Sequence, residues 1–185
     1  MVSVAIICEG KNDRDFCNEL ITHLGFHEHR INFYIFGGKN RLFDSTDKKY
    51  DDLRLDIDSN QIEKVLFVVD ADDVGNDAIY GGYQNTKTAL NNIIEQLGFQ
   101  EISRTYIVCD PTTKAGYLES FILSTIPAAQ RQCIECFLAC SQFKSKENHK
   151  AILNQIYNIA YPGAPYDFKH AHFESLKMEL TSLFT

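Results

Sequence analysis

The stretch that most constrains this chain is Val65 to Asp77, V-L-F-V-V-D-A-D-D-V-G-N-D. An unbroken apolar run rich in Val has no polar face, so it reads as a strand buried on both sides, at the centre of a parallel sheet. The run ends abruptly in acid: Asp70, Asp72, Asp73 and, beyond Gly75, Asp77. The C-terminal ends of parallel strands are where open α/β folds place their sites. In extended chain Asp70 and Asp72, two apart, point the same way. Two carboxylates so close repel by about 4 kcal/mol at 4 Å and an effective dielectric of ~20. A divalent cation, a shared proton or a nearby base must offset that. Mg²⁺, hard and oxygen-seeking, suits such donors, and Mn²⁺ is its nearest substitute.

The rest of the chain alternates around this strand. Val2 to Cys8 is a short β-branched strand ending in Glu9-Gly10-Lys11-Asn12-Asp13. Gly10 permits a tight turn, and Asn12 or Asp13 suits the cap of the next helix. That helix carries Phe16, Cys17, Leu20, Ile21 and Leu24 as one apolar stripe and stops at Gly25. Ile31 to Phe36 is a second strand, followed by Gly37-Gly38-Lys39. These residues form either a plain turn or a loop offering backbone N–H groups and one ammonium to a phosphate. Arg41 to Glu63 is polar and acidic and reads as a surface helix with a solvated charged face. After the central strand come a loop, a helix from about Asn85 to Leu97, and a fourth strand, Arg104 to Cys109. Such alternation predicts a mostly parallel four-stranded sheet flanked by helices.

Beyond Pro111 the pattern turns helical: Tyr117–Leu123, a segment from Pro127 to about Cys140, another from about Glu147 to Tyr161, and Phe173–Phe184. These are expected to pack on the sheet. The 185 residues thus form one domain, with an α/β core over 1–110 and a helical extension over 111–185. Net charge is −7, which argues against a general phosphate-binding surface but does not exclude an acidic site filled by metal. The apolar runs all fall short of the ~20 residues that span a bilayer, and the N-terminus has no basic leader, so the expected compartment is the cytoplasm. The six cysteines are then expected as free thiols. Cys133, Cys136 and Cys140 share a helix face with the spacing of a metal site, but core packing is the simpler reading. The His27/His29 and His170/His172 pairs lack a neighbouring third ligand and read as surface or helix-start residues.

Two features on different strands carry the chemistry, Glu9-Gly10 after the first and Asp70-x-Asp72-x-x-Gly75 after the third. Together they resemble the Toprim domain, shared by topoisomerases, bacterial primases, recombination-mediator proteins and the overcoming-lysogenization-defect nucleases. The resemblance covers about residues 2–110. It implies Mg²⁺ (or Mn²⁺) held by Glu9, Asp70 and Asp72, serving phosphoryl transfer in DNA or RNA, with Glu9 assisting proton transfer or metal binding. Gly10, Lys11, Asp13, Lys39, Gly75, Asp77 and Glu119 are further candidates, although a Glu on a helix surface is usually only solvated. Asn76 replaces the second acid that topoisomerases carry after the Gly, and neither a zinc module nor a second domain is present in this stretch, so topoisomerase and primase are disfavoured. A Toprim-type nuclease is expected. The alternatives are a non-catalytic module binding nucleic acid, nucleotide or protein, and a haloacid-dehalogenase-like phosphatase in which Asp70 of D-A-D-D-V is the nucleophile. Turn and cap chemistry is the plainest reading of Asp70-x-Asp72 taken alone.

Overall fold

A computed structural model describes residues 3–140 and 166–185. Four strands form one sheet in the order β2-β1-β3-β4, all parallel: β1 (Ser3–Cys8), β2 (Arg30–Ile35), β3 (Lys64–Asp70) and β4 (Ser103–Val108). The central pair is in register from Val4 against Lys64 to Cys8 against Val68. Glu9 therefore leaves the sheet beside the last residues of β3.

Helices cover both faces. Alternate strand residues Val4, Ile6, Leu66 and Val68 join one core with α1 (Lys11–His23), α5 (Leu118–Leu123) and α7 (Glu174–Phe184). Ala5, Ile7, Val65, Phe67 and Val69 join the other with α3 (Lys48–Asp58) and α4 (Tyr83–Leu97). The near-continuous apolar runs of β1 and β3 are thus accounted for: every residue from Val4 to Cys8 and from Val65 to Val69 is buried.

The order of the strands creates a reversal. From β1 the chain passes through α1, on one face, to β2. From β2 it crosses to β3 through α3 and goes on through α4, both on the other face, to β4. Connections leaving the neighbouring strands β1 and β3 therefore part to opposite faces and open a crevice between them, which is where doubly wound sheets bind ligands.

Several expectations need adjustment. The acidic segment after β2 is a short α2 (Lys39–Leu42) followed by α3, whose first turn is capped by Asp47 accepting from Lys49 N. α3 is not merely a surface helix, since Tyr50 and Leu53 are fully buried. The cysteine stripe of α6 (Ala128–Cys140) does not pack into the core: Cys133, Cys136 and Cys140 are exposed, and Ile134 faces inward. The helix expected over 147–161 lies outside the described residues. The last helix begins at Glu174 after a 3₁₀ turn, Ala171–Phe173. Among the described residues no helix is long and apolar enough to cross a membrane.

Candidate functional site

At the crevice, Glu9, Gly10, Lys11, Asp13, Gly37, Gly38, Asp70 and Glu119 line a pocket of about 410 Å³. Each is placed by a strand end or helix start. Glu9 follows β1, and its Oε1 accepts from the backbone N–H of Asp70 at 3.2 Å, tying the two strand ends together. Asp70, the last residue of β3, accepts at Oδ1 from the Leu118 N–H at 3.0 Å, at the first residue of α5. Asp13 accepts from Gly10 N at 2.8 Å and closes the first turn of α1.

Glu119 differs most from expectation. It sits in the first turn of α5 and is only 4 % exposed, so it is not a solvated surface acid. The start of α5 is docked on Asp70, which brings Glu119 to the same pocket as Glu9 and Asp70.

Asp72 also departs from expectation. Its φ of +58° takes it out of extended chain, so the rule that i and i+2 point alike does not hold. Asp tolerates this left-handed backbone better than most residues. Asp72 is fixed by an antiparallel bridge to Gly116, its N–H donating to Gly116 O at 2.6 Å. Its carboxylate turns to Lys39, with Oδ2 3.1 Å from Nζ, and both side chains are under 10 % exposed. Lys39 Nζ donates also to Ala71 O at 3.1 Å and Thr86 Oγ1 at 3.3 Å. Lys39 is thus the nearby base that the acidic motif requires; it is buried in an ion pair rather than presented to a phosphate. Thr86, fully buried in α4, completes this network. Nothing in its local sequence distinguishes it from any helical Thr.

Gly75 and Asp77 stand apart. Asp77 caps the turn that follows the motif, accepting from Ile79 N at 3.0 Å and Tyr80 N at 2.9 Å. Gly75 lies in the same loop.

Burial pushes the Glu9 carboxyl up to about 7; Lys39 opposes the rise, and the charges of Asp72 and Asp13 add to it. A carboxyl so placed gains from a cation. Among the described residues no group of three or more His, Cys, Asp or Glu side chains is placed to hold a metal ion together. Mg²⁺, however, is ordinarily held by one or two carboxylates, with waters and substrate oxygens completing its shell. Glu9, Asp70 and Glu119 line one pocket, so an ion there would take one or two of these carboxylates and complete its shell with water. Asp72, occupied by Lys39, stands behind them.

Fold and site together define a doubly wound α/β protein with an acidic pocket at its topological switch point. Residues 3–169 match the family described as Protein of unknown function (DUF3226), and the chain belongs to that family. No curated protein and no solved structure gave a match.

Proposed function

We propose that the protein is a Toprim-like, Mg²⁺-dependent nuclease that hydrolyses phosphodiesters of DNA or RNA. One observation carries this reading: Glu9 and Asp70 end neighbouring parallel strands and line one pocket at the switch point, with Glu119 beside them. A Mg²⁺ ion bound there would polarise a phosphate oxygen and acidify a water. Asp70 and Glu119 supply oxygen ligands. Glu9, whose carboxyl burial pushes up to about 7 in the ion-free pocket and which a bound cation would lower, is the group to exchange a proton with the attacking water or the leaving group. Lys39 holds Asp72 and, through it, the loop that follows β3.

The test is cleavage of single- and double-stranded DNA and of RNA in Mg²⁺ or Mn²⁺. Asp70→Asn is expected to lower the rate at least a hundredfold. Wild-type protein that leaves all three substrates intact with either ion would overturn the reading.

The buried Lys39–Asp72 pair favours a second reading, a non-catalytic Toprim-like binding module, because Asp72 is neutralised there without an ion. On that reading wild type binds oligonucleotide or protein partner without turnover, and Asp70→Asn binds equally well.

A further inference from the structure

A second pocket, of about 220 Å³, opens at the carboxyl-terminal part of β4, between α4 and α7. Tyr83 and Lys87 of α4, Tyr106 of β4, Lys114, His172 and one acid, Glu179 of α7, line it. A chain of net charge −7 here gathers two lysines beside two tyrosines. Among the described residues neither lysine is ion-paired, whereas Lys39, Arg41 and Arg131 each have an acidic partner. Lys114 Nζ lies 5.7 Å from the centre of the Tyr83 ring, a cation on an aromatic face. The His172 ring is fixed through Nδ1, 2.8 Å from Ser124 Oγ.

The chain links this pocket to the acidic site. Lys114 belongs to the loop that leaves β4 and returns to the Asp72–Gly116 bridge, and its N–H donates to Asp110 O at 2.9 Å. Tyr83 opens the helix that follows the acidic loop. Both pockets sit at the carboxyl ends of neighbouring strands, β3 and β4.

We infer that this second pocket is a subsite for one nucleotide unit of a single-stranded nucleic acid whose neighbouring phosphodiester lies in the acidic pocket. The inference rests on the nuclease reading for the role of the acidic pocket, but its own observations are the paired lysines and the tyrosine. Cations without a carboxylate partner track a phosphate backbone, and the Tyr83 face that Lys114 leaves open, or the one it vacates for a phosphate, supports a base whatever its identity. The volume is below the roughly 300–1,000 Å³ of drug-sized sites and suits one unit of a longer chain. A stacked duplex could not place a base between α4 and α7 without unpairing it, so the ligand is a single strand.

Fluorescence anisotropy with labelled twelve-residue oligothymidylate and oligouridylate, in chelator and across a salt series, tests this directly. The Lys87→Ala, Lys114→Ala double variant is expected to weaken binding and flatten the log K against log salt slope by about 1.4, at ~0.7 per phosphate contact on a single strand. Tyr83→Ala is expected to weaken binding about tenfold with the slope unchanged. Lys87→Arg with Lys114→Arg should restore the wild-type slope, which a misfolded protein would not. A preference for either oligomer that Tyr83→Ala removes supports the subsite, and oligodeoxyuridylate, which differs from oligouridylate in the sugar alone, then assigns the sugar. A wild-type slope in the double alanine variant overturns the subsite while leaving cleavage at Asp70 standing. No binding of either oligomer by wild type also overturns the subsite, and metal binding at the acidic pocket is then judged separately. Intact oligonucleotide binding with no metal-dependent cleavage would instead sink the nuclease reading and keep the subsite.

Discussion

Glu9 is the residue on which proton and metal chemistry converge, and its burial has a measurable consequence without any ligand. Folded, its carboxyl titrates at about 7, against a usual 4.5. Between those values the folded protein keeps a proton that the unfolded chain releases, so stability falls as pH rises through that window, by roughly 1.4 kcal/mol per unit. Above about 7 the loss is complete. Glu9→Gln, studied by urea denaturation in chelator, is therefore expected to be more stable than wild type at pH 8 and nearly equal to it at pH 4.5. The Lys39–Asp72 pair has the opposite character. Lys39→Met strands a carboxylate in a site that water barely reaches, at a cost of about 3–5 kcal/mol, and adding Asp72→Asn should recover most of it. Full stability of Lys39→Met alone would show that the pair is not buried in solution. Glu9 and Asp70 were legible in the sequence because each ends an apolar run, and a parallel strand leaves its last residue at the sheet edge. The partner of Asp72 was not, because Lys39 reaches it only through the fold, and the backbone turn at Asp72 breaks the alternation that the spacing suggested.

Elements explain the rest of the site. α5 docks its first turn on Asp70, and the Asp72–Gly116 bridge sets its approach. Gly116 has φ +90°, and a Cβ there would lie 2.4 Å from Ser120 Oγ. Gly116→Ala is accordingly expected to lower the melting temperature and to weaken divalent-ion binding, because Glu119 depends on the same helix start. An unchanged melting temperature would mean that α5 enters differently. The strands and the helices α1 and α4 were readable from uninterrupted apolar runs or dense stripes. α3 was blurred because only Tyr50 and Leu53 of its eleven residues are buried. The cysteine stripe of α6 shows the limit of periodicity. Spacing says which residues share a helix face, not whether that face turns toward the core, and here it turns outward. Glu119 was misjudged for a related reason: the first turn of α5 docks on Asp70 and is buried there, and nothing in Y-L-E-S-F-I-L reveals that contact.

At the scale of the whole molecule, strand order decides where chemistry can occur. In the order β2-β1-β3-β4 the connections from β1 and β3 part between those two strands, so the acids that end them face one crevice. The net charge of −7 then makes a cation the natural resident of that crevice, and confines attraction for a polyanion to places where cations cluster. The most direct measurement is calorimetric titration of Mn²⁺ and Mg²⁺ into wild type, Asp70→Asn and Glu9→Gln at pH 7.5. Saturable binding by wild type that is lost in Asp70→Asn and weakened at least tenfold in Glu9→Gln is the expected result. Binding that persists in Asp70→Asn, or no binding by wild type with or without oligonucleotide, would contradict a metal centre at the switch point.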